Sequence, residues 1–356
     1  MKKIICLIED LCSGGAERQL TGLAVLLKEQ GYNVEVWCYY PNDFYLKNLI
    51  DGGVVYRYLP EAQSKKKRIS VITRELKKAD PDTVIAFLDT ACIVACIVKL
   101  LGAKFKLIVS ERNTTQKLTM RERVKFFFYR FADCVVPNSQ TQTDFIAKHY
   151  PSLKKKLKCI TNFVDTEKFV PNENKVTNDS VRILTAARVM PQKNVINYIK
   201  AIKCVVEKGY NVTVDWYGAS YNQTYMDLCK QTIADNNLNG IFNLHPASKN
   251  IIKEYQTSDV FCLPSLYEGY PNVVCEAMSC GLPILCSNVC DNSNIVIDGV
   301  NGFIFEPLSL NQMADKIIMF LILTKAEKEK MCAYSRDIVT NKCSKLEFVK
   351  KYEDII

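Results

Sequence analysis

The feature that most constrains the fold is an alternation of short β-rich runs with helical patterns, which occurs twice along the chain. Strands that alternate with helices at this spacing predict a parallel, doubly wound α/β sheet with helices on both faces. In the first half, the predicted strands are Lys3–Ile8, Asn33–Tyr39, Val54–Leu59, Thr83–Phe87, Lys106–Ser110 and Cys134–Pro137. The predicted helices between them are Ala16–Gln30, Ile69–Lys78, Thr90–Leu101 and Thr119–Phe131.

The alternation restarts after Pro171–Ser180, a polar, Asn-rich segment without periodicity that is the best candidate for a linker. Because 356 residues exceed what one core usually supports, we predict two Rossmann-like domains, 1–170 and 171–335, that face a central cleft. A C-terminal helix, 336–356, is expected to return to the first domain. The second-half elements are the strands Val181–Ala186, Asn211–Tyr217, Val260–Leu263 and Pro283–Ser287 and the helices Asn194–Lys208, Tyr225–Asn236 and Val274–Cys280.

The cysteine pattern favours buried free thiols. The 16 cysteines are scattered through predicted strands and helices, none forms a C-x-x-C pair, and the chain has two histidines. This distribution disfavours a zinc or disulfide framework and indicates a reducing, cytoplasmic compartment. The apolar start of the chain is interrupted by Glu9 and Asp10, so it predicts a first strand and not a signal peptide.

Positive charge is concentrated in the first half. Residues 1–170 contain 28 Lys and Arg against 18 Asp and Glu, a balance of +10, whereas the remainder has a balance of −1. Runs such as Lys65–Arg68 and Lys154–Lys156 indicate an anionic partner, or simply solvated lysines. Since no nucleic-acid-binding module is present, we expect no nucleic acid and favour an anionic membrane surface or a phosphorylated acceptor.

In each half of the chain, one loop that could bind an anion follows the first strand. Gly14 and Gly15 open the first predicted helix, where backbone N–H groups favour an anion. This segment lacks the full G-x-G-x-x-G pattern, so a dinucleotide site is poorly supported. In the second half, Arg188 and Lys193 suit a diphosphate, Arg through a fork of donors and Lys as a point charge. A solvated surface loop is the alternative for this pair.

The segment Ser265–Pro283 (SLYEGYPNVVCEAMSCGLP) is the most informative. Glu268 lies at a strand-to-helix turn, and the N–H groups around Tyr270–Val273 form a helix start that favours an anion. Glu276 lies within the following helix among apolar neighbours, and a buried carboxylate needs a partner. Ribose hydroxyls would supply one, and a buried structural ion pair is the alternative.

Together these segments resemble the retaining glycosyltransferases of family 4, the bacterial polysaccharide-type glycosyl transferase group 1, which have the GT-B fold. The resemblance covers essentially the whole chain, and its second-half motif is the most specific. The matching motifs are Gly14-Gly15-Ala16-Glu17, Pro137-Asn138-Ser139, Ile160-Thr161-Asn162-Phe163-Val164-Asp165 with Phe169, Arg188 with Lys193, Glu268-x7-Glu276, and Asp298-Gly299-Val300-Asn301-Gly302-Phe303.

The resemblance implies a role for each matching residue. Arg188 and Lys193 would bind the donor diphosphate and stabilise the leaving group, and with Glu268, beside the donor sugar, they form the expected catalytic set. Glu276 would bond the ribose hydroxyls. No metal or cofactor is implied, because cations and helix dipoles neutralise the diphosphate of the nucleotide-sugar substrate. The other donor-binding residues would be Gly14 and Gly15, closing on the phosphates, and Gly269, Tyr270, Pro271, Asn272 and Val273.

Three positions depart from, or only imitate, a known pattern. Many family members have a histidine where this chain reads Ser110–Asn113, which makes Glu111 or Arg112 the candidate acceptor-side residue. His245 lies where a glycine is usual, and a structural role is favoured for it. Asp80–Asp82 (DPD) imitates a metal-binding D-x-D, but its place before a strand predicts a turn.

The helix predicted over Thr119–Phe131 interleaves cations with aromatic residues. Helical periodicity assigns Val124, Phe127, Phe128 and Phe131 to the core and leaves Phe126, Arg123 and Arg130 outside. A core helix with a solvated face is therefore expected, and a role at a membrane surface is the alternative.

The expected function is retaining transfer of a hexose or N-acetylhexosamine from a nucleotide-diphosphate sugar, with a UDP-sugar favoured. The expected acceptor is a lipid-linked or growing oligosaccharide in surface glycan assembly, and the expected location is peripheral, at the inner membrane face. Tyr270 and Asn272 are placed to contact hydroxyls of the sugar. A GT-B sugar-nucleotide epimerase and a non-catalytic sugar-nucleotide-binding partner are the alternatives.

Overall fold

The computed structural model describes residues 1–115, 117–172, 180–248 and 250–356, which form two compact units. Unit 1 comprises Met1–Asn162 and Lys345–Ile356, and unit 2 comprises Phe163–Ser344. The sequence places these divisions after residues 170 and 335. Of the predicted linker Pro171–Ser180, residues 173–179 lie outside the described residues.

Residues 163–170 belong to unit 2 because their backbone is hydrogen-bonded to it. The Arg336 guanidinium donates to the carbonyl oxygens of Thr166 and Phe169, each at 2.8 Å. The N–H of Val164 donates to the carbonyl of Cys343, also at 2.8 Å. Polar residues after 170 made a linker plausible there, but these long-range contacts are not visible in the sequence.

Unit 1 contains an all-parallel sheet, as predicted. Its central strands have almost no exposed side chains, which is typical of a parallel sheet with helices on both faces. Within the described residues the strands run, in spatial order, β3 (Val55–Tyr58), β2 (Asn33–Cys38), β1 (Lys3–Leu7), β4 (Thr83–Phe87), β5 (Lys106–Glu111) and β6 (Cys134–Pro137). The helices are α1 (Gly15–Glu29), α2 (Leu46–Asp51), α3 (Arg68–Ala79), α4 (Asp89–Leu100), α5 (Met120–Phe128), α6 (Gln140–His149) and α14 (Lys345–Glu353).

Unit 2 repeats the same strand order in a second all-parallel sheet. Read across the described part of unit 2, the strands are β9 (Phe242–His245), β8 (Val212–Tyr217), β7 (Val181–Ala186), β10 (Val260–Leu263), β11 (Ile284–Ser287) and β12 (Gly302–Phe305). The helices are α7 (Val195–Glu207), α8 (Gln223–Asp235), α9 (Ile251–Thr257), α10 (Asn272–Ser279), α11 (Asn292–Ile295), α12 (Leu310–Leu321) and α13 (Lys325–Cys343).

In each sheet the strand order reverses at one place, between β1 and β4 in unit 1 and between β7 and β10 in unit 2. Connections leave on opposite faces of the sheet at such a point and open a crevice at the carboxyl ends of the strands, where α/β proteins bind ligands. The glycine loop follows β1, the Arg188 loop follows β7, and the Glu268 loop follows β10. The topology therefore places the predicted loops at the two ligand-binding positions.

The orientation predicted for the helix over Thr119–Phe131 is wrong. Phe126 is fully buried, whereas Val124 and Phe127 are 45% and 49% exposed. The inward face is set by Lys125, which is 2% exposed and forms an ion pair with Glu111 at 2.9 Å. Burying that ion pair turns Phe126 inward, against Tyr129 and Tyr150. The helix also ends earlier than predicted, and Tyr129–Phe131 forms a 3-10 turn.

As predicted, none of the 16 cysteines is in a disulfide, and most are buried. The turn predicted at Asp80–Asp82 is also confirmed, because Asp80 is left-handed and Asp82 accepts a hydrogen bond from the Lys3 backbone N–H at 2.7 Å. Across the parts of the chain that the structure describes, no helix has both the length and the apolar character needed to cross a membrane.

Candidate active site

The loops after β7 and β10 are joined by hydrogen bonds at the carboxyl edge of the unit 2 sheet. After β7 the chain makes a 3-10 turn, Pro191–Lys193, and Asn194 takes a left-handed conformation before α7. The Asn194 side-chain amide donates to the carbonyls of Pro264 at 3.1 Å and Pro307 at 2.6 Å. Leu266 N–H donates to the Gln192 carbonyl at 2.8 Å. These bonds fix the two loops beside each other.

Lys193 and Glu268 form an ion pair at this edge. Lys193 Nζ lies 2.5 Å from Glu268 Oε1, and the Ser265 hydroxyl donates to the same oxygen at 2.5 Å. The side chains of Lys193 and Glu268 are 12% and 10% exposed, respectively. Because the ion pair is largely shielded from solvent, its electrostatic interaction is stronger than that of a surface pair. The structure thus brings together two of the three predicted catalytic residues.

Arg188, the third, lies on a rigid backbone but has an exposed side chain. The Trp216 indole N–H donates to the Ala187 carbonyl at 2.7 Å. Gly218 passes so close that a Cβ atom there would lie 1.8 Å from the same oxygen. Within the described part of the chain, no hydrogen bond or ion pair engages the Arg188 guanidinium. This side chain is therefore available to an anionic ligand.

The helix α10 carries Glu276 into the interior of unit 2. Glu276 is 4% exposed, and the hydroxyl of Tyr255, on α9, donates to its Oε2 at 3.0 Å. Tyr255 is itself fully buried. The Tyr255 hydroxyl is a neutral donor, and hydroxyl groups of a ligand are suitable additional partners for the carboxyl oxygens of Glu276.

The predicted donor-binding residues Gly269 to Val273 form the turn before α10 and the first two positions of that helix. Pro271 caps the helix, and Asn272 and Val273 are partly exposed at its first turn. The Tyr270 side chain is 8% exposed, and its hydroxyl lies 2.9 Å from the sulfur of Cys343. A contact between Tyr270 and the sugar donor would therefore come from the Tyr270 backbone. The Asn272 side chain, by contrast, lies near the surface.

A second charged cluster joins the strands β7, β8 and β9 of unit 2. Asp215 accepts from Arg182 Nε at 2.6 Å and contacts His245 Nε2 at 2.8 Å. The His245 ring stacks on Tyr217 with centroids 4.5 Å apart. Burial alone would raise the pKa of Asp215, but the hydrogen bonds from His245 and Arg182 outweigh it and hold that pKa below its usual range. These contacts agree with the structural role favoured for His245.

In unit 1, Gly14 and Gly15 lie where predicted, at the start of α1. Gly14 cannot be replaced without displacing Glu17, because a Cβ atom at Gly14 would lie 2.0 Å from Glu17 Oε2. Glu17 is 7% exposed, and burial raises the pKa of its carboxyl. The carboxylate of Glu17 thus covers the first turn of α1, where an external anion was expected.

Asp10, Cys12 and Glu17 bring metal-ligating atom types within 4.8 Å of one another, in a group next to these glycines. The Cys12 thiol donates to Glu17 Oε1 at 3.3 Å, and Asp10 accepts from the Cys12 backbone N–H at 2.9 Å. Burial and the adjacent Glu17 raise the pKa of Cys12 to about 12. At neutral pH the thiol is therefore protonated and acts as a hydrogen-bond donor to Glu17.

The acceptor-side candidates Glu111 and Arg112 are both buried in unit 1. Glu111 is paired with Lys125 and accepts from the Tyr129 hydroxyl at 3.1 Å. Burial alone would lower the pKa of Lys125, but Glu111 and Asp89 outweigh it and raise that pKa.

Arg112 links three parts of unit 1. Its guanidinium donates to Asn162 at 2.8 Å and to the Tyr352 hydroxyl of α14 at 2.7 Å. It also stacks over the Phe87 ring at 4.2 Å. These contacts account for the burial of Arg112 through the packing of α14 onto the sheet.

Sequence reasoning missed several residues that build the site. Asn194 and Gly218 had a signal, because an Asn or Gly directly after a strand or turn often marks a special backbone conformation or a close approach. Tyr255 and Ser265 had no such signal. Tyr255 binds the carboxylate of Glu276, which is distant in the sequence, and Ser265 binds that of Glu268 within an irregular loop. The burial of Lys125 was not predicted because the inward face of the helix was assigned from the aromatic residues around it.

Two family descriptions together match most of the chain. "Glycosyltransferase Family 4" matches residues 13–168, and "Glycosyl transferases group 1" matches residues 166–337. With the two parallel sheets of the same strand order, these matches place the chain among the glycosyltransferase families that have the GT-B fold. The chain belongs to the family 4 type of these glycosyltransferases, as the sequence motifs predicted.

Curated relatives are similar over parts of the chain. One is an Escherichia coli protein, UDP-Gal:alpha-D-GlcNAc-diphosphoundecaprenol alpha-1,3-galactosyltransferase, 30% identical over 46% of this chain and 44% of its own. Another is a Campylobacter jejuni alpha-1,4-N-acetyl-D-galactosaminyltransferase, whose name specifies a diNAcBac-PP-undecaprenol-linked acceptor. It is 24% identical over 78% of this chain and 77% of its own. The chain spans about half the length of several curated relatives that it matches.

Solved structures support the same fold. Anabaena Alr3699/HepE, in complex with UDP and glucose, superposes with a TM-score of 0.86 at 18% sequence identity and covers 99% of both chains. At this identity the similarity establishes the GT-B fold and leaves the ligands of this chain to be tested.

Proposed function

We propose that this protein transfers a hexose or N-acetylhexosamine from a nucleotide-diphosphate sugar, with a UDP-sugar favoured, onto a lipid-linked or growing oligosaccharide in surface glycan assembly. The observation that carries the proposal is the group at the β7–β10 switch point. There the exposed guanidinium of Arg188 and the Lys193–Glu268 ion pair lie on loops fixed to one another. This group suits a diphosphate leaving group attached to a sugar.

In the proposed reaction the bond between the anomeric carbon and the diphosphate oxygen breaks, and an acceptor hydroxyl oxygen bonds to that carbon and releases its proton. Negative charge grows on the diphosphate as this happens. Arg188 and Lys193 neutralise that charge, and N–H groups at the start of α10 add to the effect. Removing one such pre-positioned donor typically lowers turnover by about 10²–10³-fold.

Glu268 has two tasks in this scheme. It holds Lys193 in place through the 2.5 Å contact, and it lies beside the sugar. Glu276 holds the ribose hydroxyls, with its second partner, Tyr255, orienting the carboxylate. We further propose that the anomeric configuration is retained and that no metal is needed, as the family resemblance implies.

The names of two relatives and the charge of the chain support the proposed acceptor and location. Two relatives are named for acceptors linked to undecaprenol through a diphosphate, and residues 1–170 of this chain have a balance of +10. An acceptor of this kind, presented at the cytoplasmic face of a membrane, fits a basic protein that attaches peripherally. The acceptor-side role of Glu111 or Arg112 stays a prediction.

The test is an assay with purified protein, a panel of UDP-, GDP- and ADP-sugars, and lipid-diphosphate-linked acceptors. Transfer from one donor class to an acceptor, with no change in the donor when it is incubated alone, supports the proposal. Conversion of the donor alone into an epimer identifies the epimerase alternative. Tight donor binding without transfer to any acceptor leaves the non-catalytic alternative.

A further inference from the structure

The outer face of α5 presents an apolar stripe to solvent. Its members Met120, Val124 and Phe127 are 74%, 45% and 49% exposed. Spacings of four and three residues place them on one side of the helix. The ring of Phe131 extends the stripe, with its centroid 6.1 Å from that of Phe127. Contiguous exposed apolar side chains of this kind mark interaction sites.

The stripe is held outward by the opposite face of the same helix. Lys125 and Phe126 are buried, and Lys125 is paired with Glu111 and Asp89 inside unit 1. Rotating α5 to hide the stripe would expose Phe126 and break a buried ion pair, which is strongly destabilising. The orientation is therefore fixed by the core of the unit.

Basic side chains flank the stripe. Helical geometry places Arg123 and Arg130 on one side and Arg121 on the other, and all three are exposed. The Arg130 guanidinium lies over the Phe127 ring, with its central carbon 5.3 Å from the centroid. Lys156 donates to the Arg130 carbonyl at 2.6 Å. This bond brings the exposed Lys154 and Lys155 of the same basic run to the end of the stripe.

We propose that this face of α5 is the surface by which the protein docks on an anionic phospholipid bilayer. An apolar stripe with Phe at its centre and Arg on both sides matches a helix that lies in the membrane interface. The charge complementarity selects the partner: arginines beside an anionic leaflet attract it, whereas a neutral protein surface would gain nothing from them. The inference deepens the proposed function, because a lipid-linked acceptor requires the enzyme at a membrane.

Vesicle sedimentation tests the stripe directly. The variant Val124→Gln/Phe127→Gln should bind phosphatidylglycerol-containing vesicles roughly 10-fold or more weakly than wild type, since two apolar side chains no longer leave water. Val55→Gln/Phe44→Gln changes the same residue types at positions that are 55% and 62% exposed on the same unit, and should bind as wild type does. Binding of the wild type should fall with rising salt and be weak on phosphatidylcholine vesicles.

A tryptophan reporter locates the contact. Trp37 and Trp216 are fully buried, so they give a constant background. The emission of Phe127→Trp should shift to the blue with anionic vesicles, and that of Phe44→Trp should not. Circular dichroism and thermal unfolding establish that each variant is folded.

Equal loss of binding in the two double variants, no loss in either, or no blue shift at position 127 would overturn the proposal. So would a wild-type dimer that Val124→Gln/Phe127→Gln dissociates without any change in vesicle binding, because the stripe would then bind a second copy of the chain. The binding assay needs no transfer reaction. A water-soluble short-chain acceptor should be used equally well by wild type and by Val124→Gln/Phe127→Gln, so failure of docking and failure of the proposed transferase activity are distinguishable.

Discussion

Lys193 Nζ lies 2.5 Å from Glu268 Oε1, across the switch point of the second sheet. The cation that would stabilise a leaving diphosphate is thus held by the carboxylate that would lie beside the sugar. Ser265 donates to the same oxygen, which fixes the carboxylate in turn. The charge of the Glu268 side chain is therefore expected to matter more for turnover than its shape.

Glu268→Gln is expected to lower turnover by about 10- to 100-fold while donor affinity changes little, because the contact to the reacting centre is altered and the ribose contacts are not. Steady-state kinetics and donor titration separate the two effects. Glu306→Gln, the same change at an exposed position of unit 2, is the matched control. Loss of affinity with unchanged turnover would assign Glu268 to binding alone.

Turnover in excess chelator is expected to stay nearly unchanged, because Arg188, Lys193 and the start of α10 supply the positive charge that a metal would otherwise provide. Transfer rates measured with and without chelator give the answer. Abolition of transfer that magnesium restores would contradict this mechanism. Asp10→Asn would then show whether the group at Asp10, Cys12 and Glu17 is the site.

Tyr352→Phe is expected to destabilise unit 1, because it removes the acceptor of a charged hydrogen bond from the buried Arg112. Such bonds contribute about 1.5–3 kcal/mol. Urea unfolding measures the change, and Tyr334→Phe, at a position that is 49% exposed, should have almost no effect. Equal stability of the Tyr352 variant and wild type would mean that Arg112 finds another partner.

Asp215→Asn is expected to destabilise unit 2 at neutral pH and to lose this effect in acid. The pKa of Asp215 is lower in the folded state than in the unfolded chain. The stabilisation is therefore present above the unfolded value, about 3.9, and is lost as pH falls through the folded value. Unfolding of wild type and variant at pH 7 and near pH 3 compares the two regimes. If Asp215→Asn destabilised the protein more near pH 3 than at pH 7, the predicted pH dependence would be wrong.

Much of the fold could be predicted from the sequence because each half repeats one simple pattern. Strands such as Thr83–Phe87 and Val181–Ala186 are predicted with the bounds that the structure gives. The strands β9 and β12 were missed. Each has four residues and a polar or glycine member, Asn243 and His245 in β9 and Gly302 in β12, and short edge strands give little periodic signal.

Candidate site residues can be proposed from the sequence where they lie in contiguous motifs, and not where their placement depends on distant contacts. The sequence singles out Arg188, Lys193, Glu268 and Glu276 because their motifs are contiguous, and the structure places Lys193 against Glu268. The roles of these residues stay predictions. The orientation of α5 was wrong because a helical wheel weighs apolar residues and does not foresee that Lys125 is drawn inward by Glu111, 14 positions before it. Long-range ion pairs overrule local periodicity in such cases.

A calorimetric titration of nucleoside diphosphates into wild type and Glu276→Ala tests the proposed donor site most directly. We expect wild type to bind one diphosphate class, with UDP favoured. The variant should bind it roughly 10-fold or more weakly, since hydrogen bonds between the carboxylate and ribose hydroxyls are lost. Glu306→Ala should bind as wild type does, and circular dichroism should show all three proteins folded. Equal affinity of wild type and a folded Glu276→Ala would contradict the assignment of the donor site to the carboxyl edge of β7 and β10.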